Sequence, residues 1–263
     1  MRILITNDDG VNARGLQALR VAFESRGEVW VVAPDREQSA ASHALTLRDP
    51  LRVTEVEERV FSVSGTPTDC VLMAVRGVAG VMEPKPDLIL SGINHGPNMG
   101  DDVTYSGTVA AALEGRLLGV PAIAFSNIEW HPKHLEASAR WARELVDRLV
   151  DRGLPGDLLL NVNLPDLVFE NILGWKATKL GLRVYRDEII SQVDPRGRAY
   201  FWIGGDPPVW EQDEHSDFGA VSSGYVSVTP LQKDWTDKAG LAKLRKLEEE
   251  DRNAAQIQGR PLE

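Results

Sequence analysis

Short uninterrupted apolar runs alternate with helical patterns over the first two-thirds of the chain. Continuous apolar strands are typical of a parallel sheet that helices cover on both faces. The alternation therefore predicts an α/β fold, with a Rossmann-like parallel sheet flanked by helices. The predicted strands are 3–6, 29–33, 61–63, 87–91, 122–126 and 158–162, and the predicted helices are 15–26, 68–76, 109–118 and 135–152.

The pattern changes after about residue 178. A β-hairpin is predicted over 181–205, with Asp194-Pro195-Arg196-Gly197 as its turn, and its aromatic side chains need a packing partner such as a second subunit. A last strand (225–229) and a charged helix (239–252) follow. We expect a catalytic core over 1–178 and an oligomerisation extension over 179–263 that forms one structural unit with the core.

Charge and cysteine content exclude several classes of function. The chain has 29 Lys and Arg against 39 Asp and Glu, a net charge of −10, so a polynucleotide partner is not expected and a phosphate substrate needs local positive charge. Cys70 is the single cysteine, which excludes an internal disulfide framework and a Cys-rich zinc site. No apolar run approaches the ~18 residues of a membrane span. We expect a cytoplasmic protein without a membrane partner.

Polar loops follow three of the predicted strands. They are Asn7-Asp8-Asp9-Gly10, the loop 34–39 and the loop 92–98. Ligands of an open parallel sheet bind beyond the carboxyl ends of its strands. We therefore expect these three loops to share one edge of the sheet.

Asp8 and Asp9 are the sharpest feature of this edge. Adjacent carboxylates repel each other, and the arrangement is costly unless a cation lies between them. Carboxylate, hydroxyl and amide oxygens suit Mg²⁺, Mn²⁺ or Ca²⁺ rather than zinc, and Ser39 and Asn94 are the best candidates to complete the site. The alternative is that Asp-Asp-Gly is an ordinary polar turn and helix entry.

A second candidate site lies at the start of the predicted helix 109–118. Small hydroxyl residues surround Gly107 in the segment 104–108, and free N–H groups at a helix start favour an anion such as phosphate. The alternative is an ordinary N-cap by Ser106 or Thr108. His43 and His95 also lie in polar loops, either as surface residues or as proton donors to a leaving group.

Two other families fit the first loop poorly. A nicotinamide-binding fold needs glycines where Asp8 and Asp9 stand. A haloacid-dehalogenase-like phosphatase offers Asp-x-Asp after its first strand, whereas these aspartates are adjacent. For Thr66-Pro67-Thr68-Asp69, a capping-box-like helix start is the favoured interpretation.

Taken together, these segments resemble the SurE family of survival-protein nucleotidases. The resemblance spans roughly residues 1 to 235. The segments that carry it are Asn7-Asp8-Asp9-Gly10, Ala33-Pro34-Asp35 with Gln38-Ser39, Gly65-Thr66-Pro67-Thr68-Asp69-Cys70, Ser91-Gly92-Ile93-Asn94-His95-Gly96, Tyr105-Ser106-Gly107-Thr108, Asp194-Pro195-Arg196-Gly197, Trp202-Ile203-Gly204-Gly205 and 225–231.

The resemblance implies metal-dependent hydrolysis of nucleoside 5′- and 3′-monophosphates, and possible action on short polyphosphate. It implies a hairpin and C-terminal segment exchanged between the subunits of a homodimer or homotetramer. The implied cofactor is a divalent metal ion, Mn²⁺ or Mg²⁺ first and Ca²⁺ next. The implied site residues are Asp8, Asp9 and Asn7 for catalysis, Asp8, Asp9, Ser39 and Asn94 for the metal, and Asn7, Ser106, Gly107, Thr108, Asn98 and His95 for phosphate or substrate.

The mechanism and the rival functions stay open at this point. Either water attacks the phosphorus or Asp8 attacks it directly. The rival functions are a metal-dependent hydrolase of another ester or amide, and a non-enzymatic interaction protein that uses the aromatic hairpin.

Overall fold

The computed structural model describes residues 1–83, 85–184, 187–205 and 209–257. Within these ranges the helices are α1 (Arg14–Phe23), α2 (Pro67–Val75), α3 (Gly107–Leu117), α4 (Leu135–Asp151), α5 (Asp217–Ser222) and α6 (Lys238–Ile257). The strands are β1 (Arg2–Thr6), β2 (Glu28–Pro34), β3 (Val53–Glu57), β4 (Val60–Val63), β5 (Leu88–His95), β6 (Ala122–Asn127), β7 (Leu159–Leu164), β8 (Trp175–Ala177), β9 (Arg183–Val184), β10 (Asp187–Val193), β11 (Ala199–Gly205), β12 (Val209–Trp210) and β13 (Val226–Pro230).

Nine strands form the main sheet in the order β3-β4-β2-β1-β5-β6-β7-β13-β8. The six strands from β4 to β7 in that order run parallel, as the apolar runs predicted. The sheet is mixed at both edges, because β3 is antiparallel to β4 and β13 is antiparallel to β7. The predicted α/β fold is confirmed, with β1 at the centre of the parallel part.

Helices cover both faces of this sheet. Along β1, Ile3 and Ile5 contribute to one buried cluster, which also contains residues of α1 and α4. Leu4 points to the other face, where it joins a second cluster with residues of α2 and α3. This alternation is the two-fold periodicity of a strand, and it explains why β1 is apolar at every core position.

Strand β5 extends farther than the predicted strand 87–91. It continues to His95, and its pairing with β6 shifts register between Ser91 and Asn94. Gly92 has φ +130°, and a Cβ there would lie 2.2 Å from the Phe125 carbonyl oxygen, so only glycine permits this irregularity. The extension carries Asn94 and His95 along the same edge as the end of β1.

Helix α2 begins with the predicted capping box. The Thr66 hydroxyl accepts a hydrogen bond from the Asp69 N–H, Asp69 accepts one from the Thr66 N–H, and Pro67 opens the helix. Asp69 also accepts a hydrogen bond from the Thr46 N–H at 3.1 Å. These contacts give Thr66 and Asp69 structural roles, which was the favoured interpretation of this segment.

The predicted hairpin is formed by β10 and β11, although residues 185 and 186 of its predicted range lie outside the described residues. The Asp194 N–H donates to the Arg198 carbonyl oxygen at 2.8 Å and closes the turn. Several apolar side chains of the hairpin are exposed, among them Ile203 at 86%, Phe201 at 63% and Trp202 at 61%.

The chain divides into two compact units, Met1–Leu231 and Gln232–Glu263. The first contains both sheet faces and the hairpin, and the second contains α6. The assignment of residues 179–263 to oligomerisation stays a prediction. Among the described helices, none combines the length and the apolar character that crossing a bilayer requires.

Candidate functional site

Asp8 lies two residues after the end of β1 and is almost fully buried, with 4% of its surface exposed. Thr108, at the start of α3, donates two hydrogen bonds to its carboxylate, from the backbone N–H to Oδ2 at 3.1 Å and from the hydroxyl to Oδ1. Gly107 makes this approach possible, because a Cβ at that position would lie 2.8 Å from the Asp8 Cβ. The end of β1 and the start of α3 therefore hold Asp8 in one orientation.

Asp9 is half-buried beside it. The His95 N–H, at the end of β5, donates a long hydrogen bond of 3.4 Å to Asp9 Oδ2. Among the described residues, no Lys, Arg or His forms an ion pair with either aspartate. Two adjacent carboxylates thus lie in the protein without a cationic partner from the described chain.

This environment raises the pKa of both carboxyl groups. Burial raises the pKa of Asp8 to about 6, the hydrogen bonds from Thr108 oppose this, and the charge of Asp9 adds to it. Burial also raises the pKa of Asp9 to about 6, against the hydrogen bond from His95 and with the charge of Glu37. The ionised pair is unfavourable in the absence of a cation, which is the electrostatic condition of a metal site.

Asn7 supplies an unused oxygen next to the pair. Its Nδ2 donates to the Gly10 carbonyl oxygen at 3.0 Å, while its Oδ1 is buried and has no hydrogen-bond partner. A buried acceptor without a donor is costly, unless a cation, a water or a substrate hydroxyl completes it. The donor set at the end of β1 therefore fits a divalent cation bound by oxygen ligands.

Asn94 and Ser39 are the two further predicted ligands. Asn94 Nδ2 donates to the Gly96 carbonyl oxygen at 2.9 Å, which leaves its Oδ1 as an acceptor. Ser39 is exposed, and its hydroxyl donates to Glu37 Oε1 at 2.8 Å. The described residues contain no cluster of three or more His, Cys, Asp or Glu suited to a metal ion, so a metal here would depend on neutral oxygens as well as on the aspartates.

The start of α3 serves first as a helix cap. Ser106 is the N-cap residue, and its hydroxyl accepts a hydrogen bond from the Val109 N–H at 3.0 Å, as the alternative interpretation predicted. The Thr108 N–H already donates to Asp8. Part of the positive end of this helix is therefore directed at the carboxylate of the protein itself.

Asn98 lies in a buried amide network. Its N–H donates to Asn163 Oδ1 at 2.9 Å, its Nδ2 donates to Ser126 Oγ at 2.8 Å, and its carbonyl oxygen accepts from Asn161 and Asn163. These contacts fix the loop after β5. The sequence analysis did not identify Asn161 and Asn163, although their alternation inside the apolar run Leu159–Leu164 was a signal that they share one face.

The two loop histidines lie in different surroundings. His43 Nε2 lies 2.8 Å from Glu114 Oε2 of α3. His95 Nε2 is buried and has no hydrogen-bond partner. Burial lowers the pKa of His95, and the charge of Arg14 and the proximity of His131 lower it further. Of the two histidines, His95 is the one whose backbone N–H contacts the aspartate pair.

Comparison with known proteins identifies the family of the chain. The family model described as survival protein SurE matches residues 3–187. The chain is 52% identical to the 5′-nucleotidase SurE of Geobacter sulfurreducens, over 93% of each chain, and 51% identical to the 5′-nucleotidase SurE of Vibrio campbellii, over 92% of each. The crystal structure of the SurE protein from Aquifex aeolicus is similar, with a TM-score of 0.83 and 43% identity over 94% of this chain and 100% of that one. With the predicted resemblance thus confirmed over most of its length, the chain belongs to the SurE family.

Proposed function

We propose that the chain is a metal-dependent nucleotidase, which hydrolyses nucleoside 5′- and 3′-monophosphates to a nucleoside and phosphate. One observation carries this proposal: Asp8 and Asp9 have no cationic partner among the described residues. They follow Asn7, whose buried Oδ1 has no hydrogen-bond partner, at the edge where ligands of parallel sheets bind. Relatives that are about 50% identical in sequence are named 5′-nucleotidase SurE, and this supports hydrolysis of nucleotides as the reaction class.

Asp8, Asp9, Ser39 and Asn94 would hold the cation. A bound divalent cation supplies charge neutralisation for a phosphoryl group and acidifies water. The oxygen donors of this set favour Mg²⁺, Mn²⁺ or Ca²⁺, in keeping with the expected cofactor.

The residues of the chain orient the reactants. Thr108 donates one hydrogen bond to each carboxylate oxygen of Asp8 and so fixes its orientation, and each oxygen keeps a lone pair for the cation. We assign Asp8 to metal binding and the attack on phosphorus to water. Asn7 Oδ1 is free to accept a hydrogen bond from water or substrate. Ser106 and Gly107 border the phosphate at the start of α3, and His95 borders the leaving group. Trapping of a phosphorylated Asp8 after a rapid acid quench would overturn the assignment of water as the nucleophile.

Phosphate release from a panel of nucleoside 5′- and 3′-monophosphates tests the function. The protein is treated with a chelator and then supplied with Mg²⁺, Mn²⁺ or Ca²⁺ separately. Asp9→Asn should lose release with every cation, whereas Asp157→Asn, an exposed substitution with the same charge change, should retain it. A folded protein that releases no phosphate with any cation would overturn the proposal. Competitive inhibition by vanadate separates a phosphatase from a hydrolase of other esters or amides.

We also propose that the hairpin of β10 and β11 packs against a second copy of this chain, in a homodimer or homotetramer. Phe201 and Ile203 are exposed on one face of the hairpin and Trp202 on the other. Exposed apolar surface of this kind is characteristic of an interface and supports the proposal. Light scattering should report a smaller particle for Ile203→Asp than for the wild type. A location in the cytoplasm stays a prediction.

A further inference from the structure

A pocket of about 440 Å³ is lined in part by His95, whose backbone contacts Asp9 of the aspartate pair. We call it the basic pocket; its lining residues are Arg14, His95, Trp130, His131, Pro132 and Lys133. His95 connects it to the site, since the backbone N–H of His95 reaches Asp9 Oδ2 at 3.4 Å and the same residue lines the pocket. His95 is therefore shared by the aspartate pair and the basic pocket.

The basic pocket concentrates positive charge in an acidic protein. Arg14 and Lys133 are both exposed, and neither forms an ion pair with any residue in the described ranges. The net charge of the chain is −10, yet the lining of this pocket includes an arginine and a lysine and no carboxylate. Two unpaired cations at the rim of one pocket repel each other, and a bound anion removes that repulsion.

The side chain of Trp130 indicates which kind of anion the basic pocket binds. The Trp130 indole is 70% exposed and lies against Gly96, where a Cβ would be 2.8 Å from Trp130 Cε3. A side chain at position 96 would displace the ring, so the glycine leaves room for the indole in the pocket lining. An exposed indole next to cations is a surface on which a nucleobase stacks. This combination fits a nucleotide better than a linear polyphosphate, which has no ring to stack.

We propose that the basic pocket binds a second phosphate group of a nucleotide whose scissile phosphate lies at the aspartate pair. The preferred substrate class is then the nucleoside 3′,5′-bisphosphates rather than the matching monophosphates. This inference rests on the proposed function. Hydrolysis joins a water oxygen to phosphorus and breaks one phosphorus–oxygen ester bond, and the ribose oxygen leaves with a proton. Orthophosphate and a nucleoside monophosphate are released, and the second phosphate stays on the sugar.

The test compares KM and kcat for adenosine 3′,5′-bisphosphate, 5′-AMP, 3′-AMP and tripolyphosphate. The variants are Arg14→Gln and Lys133→Gln. The matched control is Arg152→Gln, at the far end of α4 from Lys133 and ~25 Å away at 1.5 Å per helical residue. All three positions are exposed, and circular dichroism verifies that each variant is folded.

We expect the wild type and the control to have a KM for the bisphosphate about tenfold below that for either monophosphate, which corresponds to about 1.4 kcal/mol. Each pocket variant should raise the KM for the bisphosphate several-fold, with kcat and the monophosphate KM unchanged. A merely structural role would instead alter both substrates alike.

Three results would overturn the inference. Equal KM values for bisphosphate and monophosphates in the wild type would remove the second-phosphate subsite while leaving the proposed function intact. A KM for tripolyphosphate that rises more than that for the bisphosphate in the pocket variants would assign the pocket to linear polyphosphate. Absence of phosphate release from every substrate by the wild type would overturn the proposed function itself, and this inference with it.

Discussion

Asp9→Asn should stabilise the metal-free protein at pH 7.5 even though it removes a residue of the candidate active site. The Asp9 carboxylate is half-buried, accepts one long hydrogen bond and lies beside the carboxylates of Asp8 and Glu37. Its pKa of about 6 in the folded protein, against 3.8 as the ordinary value, means that folding disfavours the ionised form. Asparagine has nearly the same shape and no charge to bury.

The direction of the pH dependence follows from linkage. A carboxyl group with a raised folded pKa contributes stability that is fully present below pH 3.8 and is lost as the pH rises through about 6. A difference of about two pH units at about 1.36 kcal/mol each sets an upper bound of about 3 kcal/mol. Partial solvent access to Asp9 reduces the expected gain to about 1–2 kcal/mol, or a rise in Tm of about 3–6 °C.

Thermal unfolding from pH 4 to pH 8 in the presence of a chelator measures this effect. The gain of Asp9→Asn should be present at pH 7.5 and absent near pH 4, and Asp157→Asn should show no comparable gain. Adding Mn²⁺ at 100 times its Kd should stabilise the wild type by about 2.7 kcal/mol and the variant by less. A variant less stable than the wild type at pH 7.5 without metal, or a gain that does not change with pH, would refute the reasoning.

Three further substitutions test the framework of the site. Thr108→Val removes the hydroxyl donor to Asp8 and should weaken the apparent metal affinity by about 10–100-fold in metal titrations of phosphate release. Gly107→Ala places a methyl group 2.8 Å from the Asp8 Cβ and should lower stability by about 1–3 kcal/mol in urea unfolding. Asn163→Ala leaves the buried Asn98 N–H without its acceptor and should cost about 1–3 kcal/mol by the same measurement.

The central strands and the main helices were predictable from the sequence, because apolar side chains mark the positions that are buried. Strand β1 is apolar at successive positions since both of its faces are covered, and α4 has the helical periodicity of a one-sided contact. Strand β3 was not predicted: four of its five residues are exposed, so no core contact selects an apolar pattern there. The extension of β5 was missed because glycine is a weak strand residue, and Gly92 is needed for the irregular pairing.

The candidate site was predictable to the level of loops but not of contacts. Because the carboxyl ends of parallel strands meet at one edge of the sheet, the end of β1 was predicted to lie near the end of β5. The hydrogen bond between Asp9 and His95 confirms that they are adjacent. The hydrogen bonds from Thr108 to Asp8 depend on the approach of α3 in three dimensions, which no local pattern contains. The same is true of Trp130, whose ring contacts Gly96 across 34 positions of sequence.

Asp8 accepts the hydrogen bonds that the N-terminus of α3 would otherwise offer to a phosphate, so the substrate needs positive charge from another part of the site. A helix start in such a position is commonly an anion site, but here the Thr108 N–H and hydroxyl are engaged by a carboxylate of the protein. That arrangement stabilises ionised Asp8 and removes those donors from a phosphate.

In a chain with a net charge of −10, a phosphate dianion then needs another source of attraction close by. A cation on the aspartate pair is that source for the scissile phosphate, whereas Arg14 and Lys133 of the basic pocket are placed to attract a second phosphate. The two proposals therefore address the two ends of one substrate, and substitutions in the basic pocket should affect nucleotides with a second phosphate group more than the monophosphates.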